Sequence, residues 1–241
     1  MLFLTALEQR IIVVSITQCW PIAYSIFFAY KLLKRSKNPV TISLSSFFIT
    51  QSIALLMLIV SIFTVNTSVS YPIYILGYYL YFFSFAFLII FSWIILNVDK
   101  KDSYKSNFVL IIFYSLTCGC IIGVGILTSG IQYGLNTGWI PIFSLGFAII
   151  SWLYIGLVYF IPEIIIVFKL LRTFKTSPIK KRINLLVISL LMGISLAAFP
   201  ILYNYWIDNG YYRGIHTFIA LPFATISAYI SYRSLGKGLS K

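Results

Sequence analysis

The stretch that decides the fold is residues 73–98, which read IYILGYYLYFFSFAFLIIFSWIILNV and contain no charged side chain. A helix needs about 20 apolar residues to cross the hydrocarbon core of a bilayer. Charged residues follow at once, at Asp99, Lys100 and Lys101. The stretch therefore predicts a helix that spans a membrane and ends near its surface.

Six further runs of the same kind flank this stretch. The chain is 60% hydrophobic and 10% charged, whereas soluble domains carry about 25% charged residues. We therefore predict an all-α polytopic membrane protein, a bundle of seven transmembrane helices in one domain (residues 1–241) with no soluble domain. The fifth run is long, so we expect it to tilt or to begin with an interfacial turn. The predicted spans are 11–33, 41–65, 73–98, 107–127, 139–171, 183–206 and 215–232.

Lysine and arginine are distributed unevenly around these spans. The chain has 18 Lys and Arg against 5 Asp and Glu, a net charge of +13. The basic residues follow the first, third, fifth and seventh spans, and only Arg10 and Arg213 fall on the opposite side. Because cytoplasmic loops are rich in Lys and Arg, we predict a multi-pass protein of the cell membrane with its N-terminus outside and its C-terminus in the cytoplasm. The same distribution argues against a nucleic-acid partner.

The ends of the first and fifth spans are similar. Residues 30–39 read YKLLKRSKNP, and residues 168–178 read FKLLRTFKTSP. In both, an aromatic residue precedes Lys-Leu-Leu, and two more spans follow. This predicts a 3+1+3 parallel repeat with the fourth helix as linker. The alternative is that any basic helix end looks like this in a chain of biased composition.

The sequence lacks the residue patterns of an enzyme or a cofactor protein. A metal site needs several His, Cys or acidic ligands, and the chain has one histidine, His216. A retinal Schiff base needs a lysine within the seventh span, and residues 215–232 contain none. We therefore expect no catalytic residues, no metal and no cofactor, retinal included. We interpret His216 as an interfacial imidazole hydrogen-bonded near Arg213 or Asp208.

Glu163 is the one carboxylate within a predicted span, directly after Pro162. A charge inside the membrane is costly and usually faces a partner or a cavity. One interpretation is therefore a protonation switch or an ion-coupling site. The other is that the side chain snorkels to the interface, or pairs with a basic residue of a neighbouring loop.

Uncharged polar and aromatic side chains also fall within the spans. The aromatic residues on one face of the third span are Tyr74, Tyr78, Tyr81 and Phe85. Together with Gln18 of the first span, they predict an outward-facing pocket for a small amphipathic or aromatic ligand. The alternative for each residue is interhelical hydrogen bonding or aromatic packing. The candidate ligand-binding residues are Gln51, Tyr78, Tyr81 and Asn204.

Two short motifs concern assembly and modification. Gly119 and Gly123 lie four residues apart in the fourth span. Small residues at this spacing let two helices approach closely, so they predict a packing face within the bundle or between protomers of an oligomer. Asn66, followed by Thr67 and Ser68, forms an N-glycosylation sequon in an outer loop.

Residues 176–182 read TSPIKKR, and Gly193, Pro200 and Asn204 follow along the sixth span. This pattern resembles the seven-transmembrane N-terminal sensor region of histidine kinases, where a Ser-Pro and a basic pair enter helix 6 before a Gly, a Pro and an Asn. The resemblance covers the seven-helix layout and this motif. The Asp-Leu-Thr-Pro-like entry to helix 7 is missing, since residues 208–211 read DNGY.

Members of that family usually continue into a cytoplasmic output module, whereas this chain stops after the seventh span. The resemblance therefore implies a stand-alone, receptor-like sensor without a kinase module. It would transmit an external or membrane stimulus to a separate cytoplasmic signalling protein. The residues expected to contact that partner are Lys34, Arg35, Lys180, Lys181 and Arg182.

The rival hypothesis is a small-solute transporter. The predicted 3+1+3 repeat, the orientation and the chain length resemble the sugar-facilitator (SWEET-like) family. The Pro-Gln pair of that family has no counterpart here, because Pro21-Ile22 and Pro162-Glu163 stand in its place. The sequence thus leaves two hypotheses, a sensor and a transporter.

Overall fold

A computed structural model describes residues 6–65, 67–97, 103–173 and 177–235, and within them the chain is almost entirely helical. Two short strands, β1 (Ile131–Gln132) and β2 (Ile142–Phe143), form an antiparallel hairpin between the fifth and sixth helices. The helices are α1 (Ala6–Arg35), α2 (Pro39–Phe63), α3 (Ser70–Ser84), α4 (Ala86–Leu96), α5 (Ser103–Leu127), α6 (Leu145–Tyr154), α7 (Ile161–Thr173), α8 (Ser177–Tyr205) and α9 (Gly210–Leu235).

Six helical stretches of the described chain are long and apolar enough to cross a membrane. Two of them join neighbouring elements, since α3 continues into α4, and α6 continues through a π-helical segment into α7. The protein is therefore an all-α, multi-pass membrane protein. The six stretches are Pro39–Phe63, Ser70–Leu96, Lys105–Leu127, Leu145–Thr173, Lys181–Tyr205 and Gly210–Arg233.

The helices form a ring. α1 packs against α2 and α9, and α2 also packs against α3 and α4. α4 contacts α7, which contacts α8, and α8 packs along α9. α5 lies outside this ring, against α3, α4 and α6.

The predicted start of the fifth span, residue 139, is wrong by six residues. The helix begins at Leu145, after Ser144 caps it by accepting a hydrogen bond from the Phe147 amide at 3.2 Å. The preceding apolar residues belong to the hairpin, in which Ile131 and Phe143 are paired and buried. Hydropathy alone does not distinguish a buried hairpin from the first turns of a span, and this explains the error.

At three irregular places in the helices, two at prolines and one at a tightened turn, a tyrosine of a neighbouring helix bonds a backbone carbonyl. Pro162 and Pro200 have no amide hydrogen, so the carbonyls four residues earlier lose their usual donor. The Tyr114 hydroxyl bonds the first of these, Val158 O, at 3.2 Å, and the Tyr81 hydroxyl bonds the second, Leu196 O, at 3.0 Å. Side chains of neighbouring helices therefore satisfy both carbonyls.

The third irregular place is the junction of α3 and α4. There the Phe85 amide bonds Phe82 O at 3.2 Å, a three-residue spacing that tightens the helix. The Tyr159 hydroxyl donates to the same Phe82 oxygen at 3.1 Å. Tyr159 lies in the π-helical segment Ile155–Phe160, so the junction in the third span and the irregular part of the fifth are bonded to each other. We call Tyr81, Tyr114 and Tyr159 the tying tyrosines.

Candidate functional site: a cavity inside the helix ring

The ring surrounds a partly open cavity of about 530 Å³. Its walls come from α1, α2, α3, α8 and α9, with Leu88 of α4 and the hairpin residues Ile140 and Pro141. A cavity of this size lies within the range of small-molecule binding sites, about 300–1,000 Å³.

The small side chains of α9 create this space. The residues that α9 turns toward the cavity include Ala220, Ala224, Ser227, Ala228 and Ser231, spaced so that they share one helix face. α1, α2 and α3 contribute mostly large side chains to the opposite walls. The large side chains of α1, α2 and α3 and the small side chains of α9 thus leave space between them.

The cavity is long. Arg213 and Ser231 both line it and belong to the same helix. Residues so placed are about 27 Å apart along a helix with a rise of about 1.5 Å per residue. The hydrocarbon core of a bilayer is about 30 Å thick, so the cavity is nearly as long as that core is thick.

The polar and aromatic residues predicted to form a pocket meet around this cavity. Tyr78 is 2% exposed and Asn204 is 8% exposed. Gln51 accepts a hydrogen bond from the Ser84 hydroxyl. Their role in binding a ligand stays a prediction. The predicted residues that line the cavity are Gln18, Gln51, Tyr74, Tyr78, Tyr81, Phe85 and Asn204.

Three buried polar atoms of the lining have no hydrogen-bond partner among the described residues. They are Gln18 Oε1, the Tyr78 hydroxyl oxygen and His216 Nε2. A buried polar group left without a partner costs about 1–3 kcal/mol. These atoms therefore need a partner that the described protein residues do not supply, either water or a ligand.

The serines at the other end of the cavity are satisfied. The Ser227 hydroxyl donates to Ser189 O at 2.8 Å, and the Ser231 hydroxyl donates to Ser189 Oγ at 3.0 Å. The Ser189 hydroxyl in turn donates to Leu186 O at 2.7 Å. The lining atoms without a hydrogen-bond partner therefore lie away from this end of the cavity.

Arg213 and His216 were not predicted as lining residues. Arg213 donates to the Tyr203 hydroxyl at 3.3 Å, and its guanidinium lies 4.6 Å from the centre of the Tyr203 ring. His216 packs 4.9 Å from the same ring and 6.0 Å from Phe199. Their spacing relative to Ala220 on α9 is the signal that places all three on one face.

Glu163 lies outside the cavity lining, where α7 meets α4. Its side chain is 0% exposed, and the Ser92 hydroxyl donates to Oε1 at 2.7 Å. Oε2 has no hydrogen-bond partner among the described residues. The described partner of this carboxyl group is therefore a neutral hydroxyl from the third span, so the interpretation as a surface-snorkelling side chain does not fit its complete burial.

The remaining predicted residues are spread over the surface. Lys34, Arg35 and Lys181 are exposed and Arg182 is partly buried, while the side chain of Lys180 lies outside the described part. A Cβ atom on Gly119 would lie 4.0 Å from the Tyr79 ring, whereas one on Gly123 would meet open space. Gly119 thus faces α3 of the same chain, and Gly123 faces outward. Asn66 lies outside the described residues.

No protein-family model matches this chain, and no curated protein or solved structure matches it either.

Proposed function

We propose that this protein is a receptor-like membrane sensor that binds a ligand in the cavity and transmits the change to a separate cytoplasmic protein. The observation that supports the proposal is the convergence of Gln18, Gln51, Tyr78, Tyr81 and Asn204 on one cavity. A largely apolar pocket with a few convergent polar groups is the usual form of a small-molecule site.

The proposal includes seven spans with the N-terminus outside. α1 is 30 residues long, about 45 Å at the rise of a helix, and supplies the seventh crossing. The Lys and Arg distribution then places Lys34, Arg35, Lys180, Lys181 and Arg182 in the cytoplasm, where they contact the partner. The Arg213 end of the cavity faces outside.

A labelling experiment tests this orientation. With Cys19, Cys118 and Cys120 replaced, a single cysteine at Asn66 should react with a membrane-impermeant maleimide on intact cells, and one at Lys37 should react only after permeabilisation. The reverse pattern would contradict the orientation.

Signal transmission requires helices that can rearrange. The fifth span has a π-helical segment, which often marks functional sites, followed by Pro162. Glu163 follows directly and is bonded to Ser92 of the third span. We assign Glu163 the role of a protonation switch at this joint, since a carboxyl group bonded to a neutral hydroxyl can gain or lose a proton without breaking an ion pair.

The length of the cavity favours a second candidate function. A cavity that runs about 27 Å through the bundle resembles part of a transport path, and the proposed 3+1+3 repeat belongs to this alternative. A small-solute transporter would have to open the cavity alternately to each side of the membrane.

A screen of small amphipathic and aromatic compounds tests the sensor proposal. A ligand that binds the folded protein raises its unfolding temperature. We expect hits that stabilise the wild type but not Asn204→Leu, with Ile219→Ala, a change at a membrane-facing position of α9, as the control. Failure of every compound to distinguish wild type from Asn204→Leu would contradict the proposal. Uptake of the same hits by reconstituted vesicles would instead support transport.

A further inference from the structure

The two ends of the cavity differ in polarity. Contacts between α1 and α9 give the levels of their residues, because Trp20 Nε1 donates to Thr225 Oγ1 at 3.0 Å and Phe28 stacks on Tyr232 at 5.2 Å. Gln18 is thus closer than the serine cluster to the Arg213 end. His216 packs on Tyr203 at the Arg213 end, and Tyr78 lies one turn before Tyr81, whose hydroxyl reaches Leu196 O on that side of Ser189. The polar atoms without partners among the described residues, on Gln18, Tyr78 and His216, therefore all lie on the Arg213 side of the cluster formed by Ser189, Ser227 and Ser231.

Around the serines, the described lining residues have no buried polar atom without a hydrogen-bond partner. Phe48 lines this part, since it packs on Phe28, which stacks on Tyr232. Leu88 lies beside Gly193 and Ser227, and α9 contributes Ala224 and Ala228. The serines beside them bond to each other and to the backbone. An apolar group placed there loses no hydrogen bond and gains about 25 cal/mol for each Å² of apolar surface removed from water.

The small residues of α9 give this part the shape of a groove. Side chains three or four residues apart on a helix are about 5–6 Å apart and lie in a row along the axis. Ala220, Ala224, Ala228 and Ser231 form such a row. The groove therefore runs parallel to the helix axis, and a flexible chain can follow it.

The chemistry of the atoms without partners limits which polar group a ligand can place beside them, and we call that group its head group. An amide oxygen such as Gln18 Oε1 accepts only, whereas a hydroxyl such as that of Tyr78 both donates and accepts. A matching ligand must donate at least one hydrogen bond. Charges are costly at membrane depth, and the described lining contains no Asp or Glu that could pair with a cation. Its Arg213 already donates to Ile207 O and to the Tyr203 hydroxyl, so an uncharged head group is favoured.

We infer that the ligand is a single-chain lipid with an uncharged, hydroxyl-bearing head, the class that monoacylglycerols represent. Its head lies near Gln18 and Tyr78, and its hydrocarbon chain follows the row of small residues from Ala224 to Ser231. This inference rests on the proposed function of the cavity and specifies its ligand class.

The test uses the full chain in phospholipid nanodiscs, because detergents belong to the same chemical class as the ligand. The probe is a monoacylglycerol with a diazirine at the end of its chain. We expect saturable photolabelling of residues 224–231 of α9 or 189–193 of α8, abolished by excess unlabelled monoacylglycerol. Labelling only at membrane-facing residues such as Ile226 and Phe218, or labelling that excess lipid does not reduce, would overturn the inference.

Two variants refine the result. Ala224→Phe places a ring in the groove and should reduce specific labelling at least about tenfold, which corresponds to about 1.4 kcal/mol. Ile226→Phe adds a ring to the membrane-facing side of the same helix and should leave it unchanged. Equal labelling in both would overturn the inference. If Ala224→Phe does not fold, the position of labelling in the wild type still decides.

Competition separates related ligands. Excess oleate that displaces the probe better than monoacylglycerol would overturn the uncharged head in favour of an anionic one. A compact compound from the screen that depends on Asn204, together with unspecific labelling by the chain probe, would overturn the lipid inference and leave the sensor proposal standing.

Discussion

Buried tyrosine hydroxyls have different partners in two regions of the molecule. One is the contact between the third and fifth spans around Tyr159 and the neighbouring Tyr114, which we call the joint, and the other is the cavity beside α9. At the joint, the hydroxyls of Tyr114 and Tyr159 donate to backbone carbonyls. In the cavity, the hydroxyl of Tyr78 is equally buried but has no partner among the described residues. The same side chain is therefore a structural element where its hydroxyl bonds a carbonyl, as Tyr81 of the cavity wall also does, and an available binding group at Tyr78. Whether the hydroxyl is already bonded distinguishes the two roles.

Removing a whole side chain at the joint should have the largest effect. Tyr159 is 0% exposed and packs against Tyr114 at 5.3 Å. Tyr159→Ala should lower the free energy of unfolding by about 3–5 kcal/mol, because it leaves a cavity and removes one of the two hydrogen bonds that the Phe82 carbonyl accepts. Tyr211→Ala, at a residue 90% exposed, should cost less than about 0.5 kcal/mol. Unfolding in mixed micelles measures both, and equal losses would contradict the packing described for the joint.

Removing only a tying hydroxyl should have a moderate effect. Tyr114→Phe leaves Val158 O without a donor, since Pro162 supplies no amide hydrogen. We expect a loss of about 1–3 kcal/mol. Tyr229→Phe on the exposed face of α9 is the matched control. A loss no larger than that of the control would show that the carbonyl finds another donor.

Removing the cavity hydroxyl should cost no stability. Tyr78→Phe deletes a buried polar group that has no partner among the described residues, so the unliganded protein should be as stable as the wild type or more stable. The same measurement as for Tyr114→Phe makes the comparison. A loss as large as that of Tyr114→Phe would mean that the Tyr78 hydroxyl is a structural group.

Glu163→Gln should leave the stability nearly unchanged but alter how the stability depends on pH. Glu163→Gln keeps the shape and the bond from Ser92, so the protein should fold. If Glu163 is a protonation switch, the difference in unfolding temperature between about pH 5 and about pH 8 should be smaller in this variant. Asp208→Asn, at an exposed site, should keep the wild-type difference. The same pH dependence in the wild type, Glu163→Gln and Asp208→Asn would contradict the role of Glu163 as a protonation switch.

The face of aromatic residues on the third span and the polar residues around the cavity were predictable from the sequence. Helical spacing alone places Tyr74, Tyr78 and Tyr81 together, and the absence of charge in the spans directs their polar side chains inward. The apolar runs likewise predicted the six spans that the described residues show.

The hairpin and the tying tyrosines were not predictable, because they depend on neighbours distant in sequence. The prolines at 162 and 200 indicate carbonyls without donors, but which hydroxyl reaches each one depends on helix packing. The small residues from Ala220 to Ser231 are also visible in the sequence. A row of small residues opposite rows of Tyr and Phe predicts a gap as readily as a close contact.

The structure of the protein in nanodiscs made directly from its own membrane tests the central claim, that the cavity is a ligand site. The account predicts density that belongs to no protein atom, within about 3.2 Å of the Tyr78 hydroxyl and continuing beside Ala224. A cavity closed by side chains, with the Tyr78 hydroxyl bonded to another residue of the chain, would contradict it.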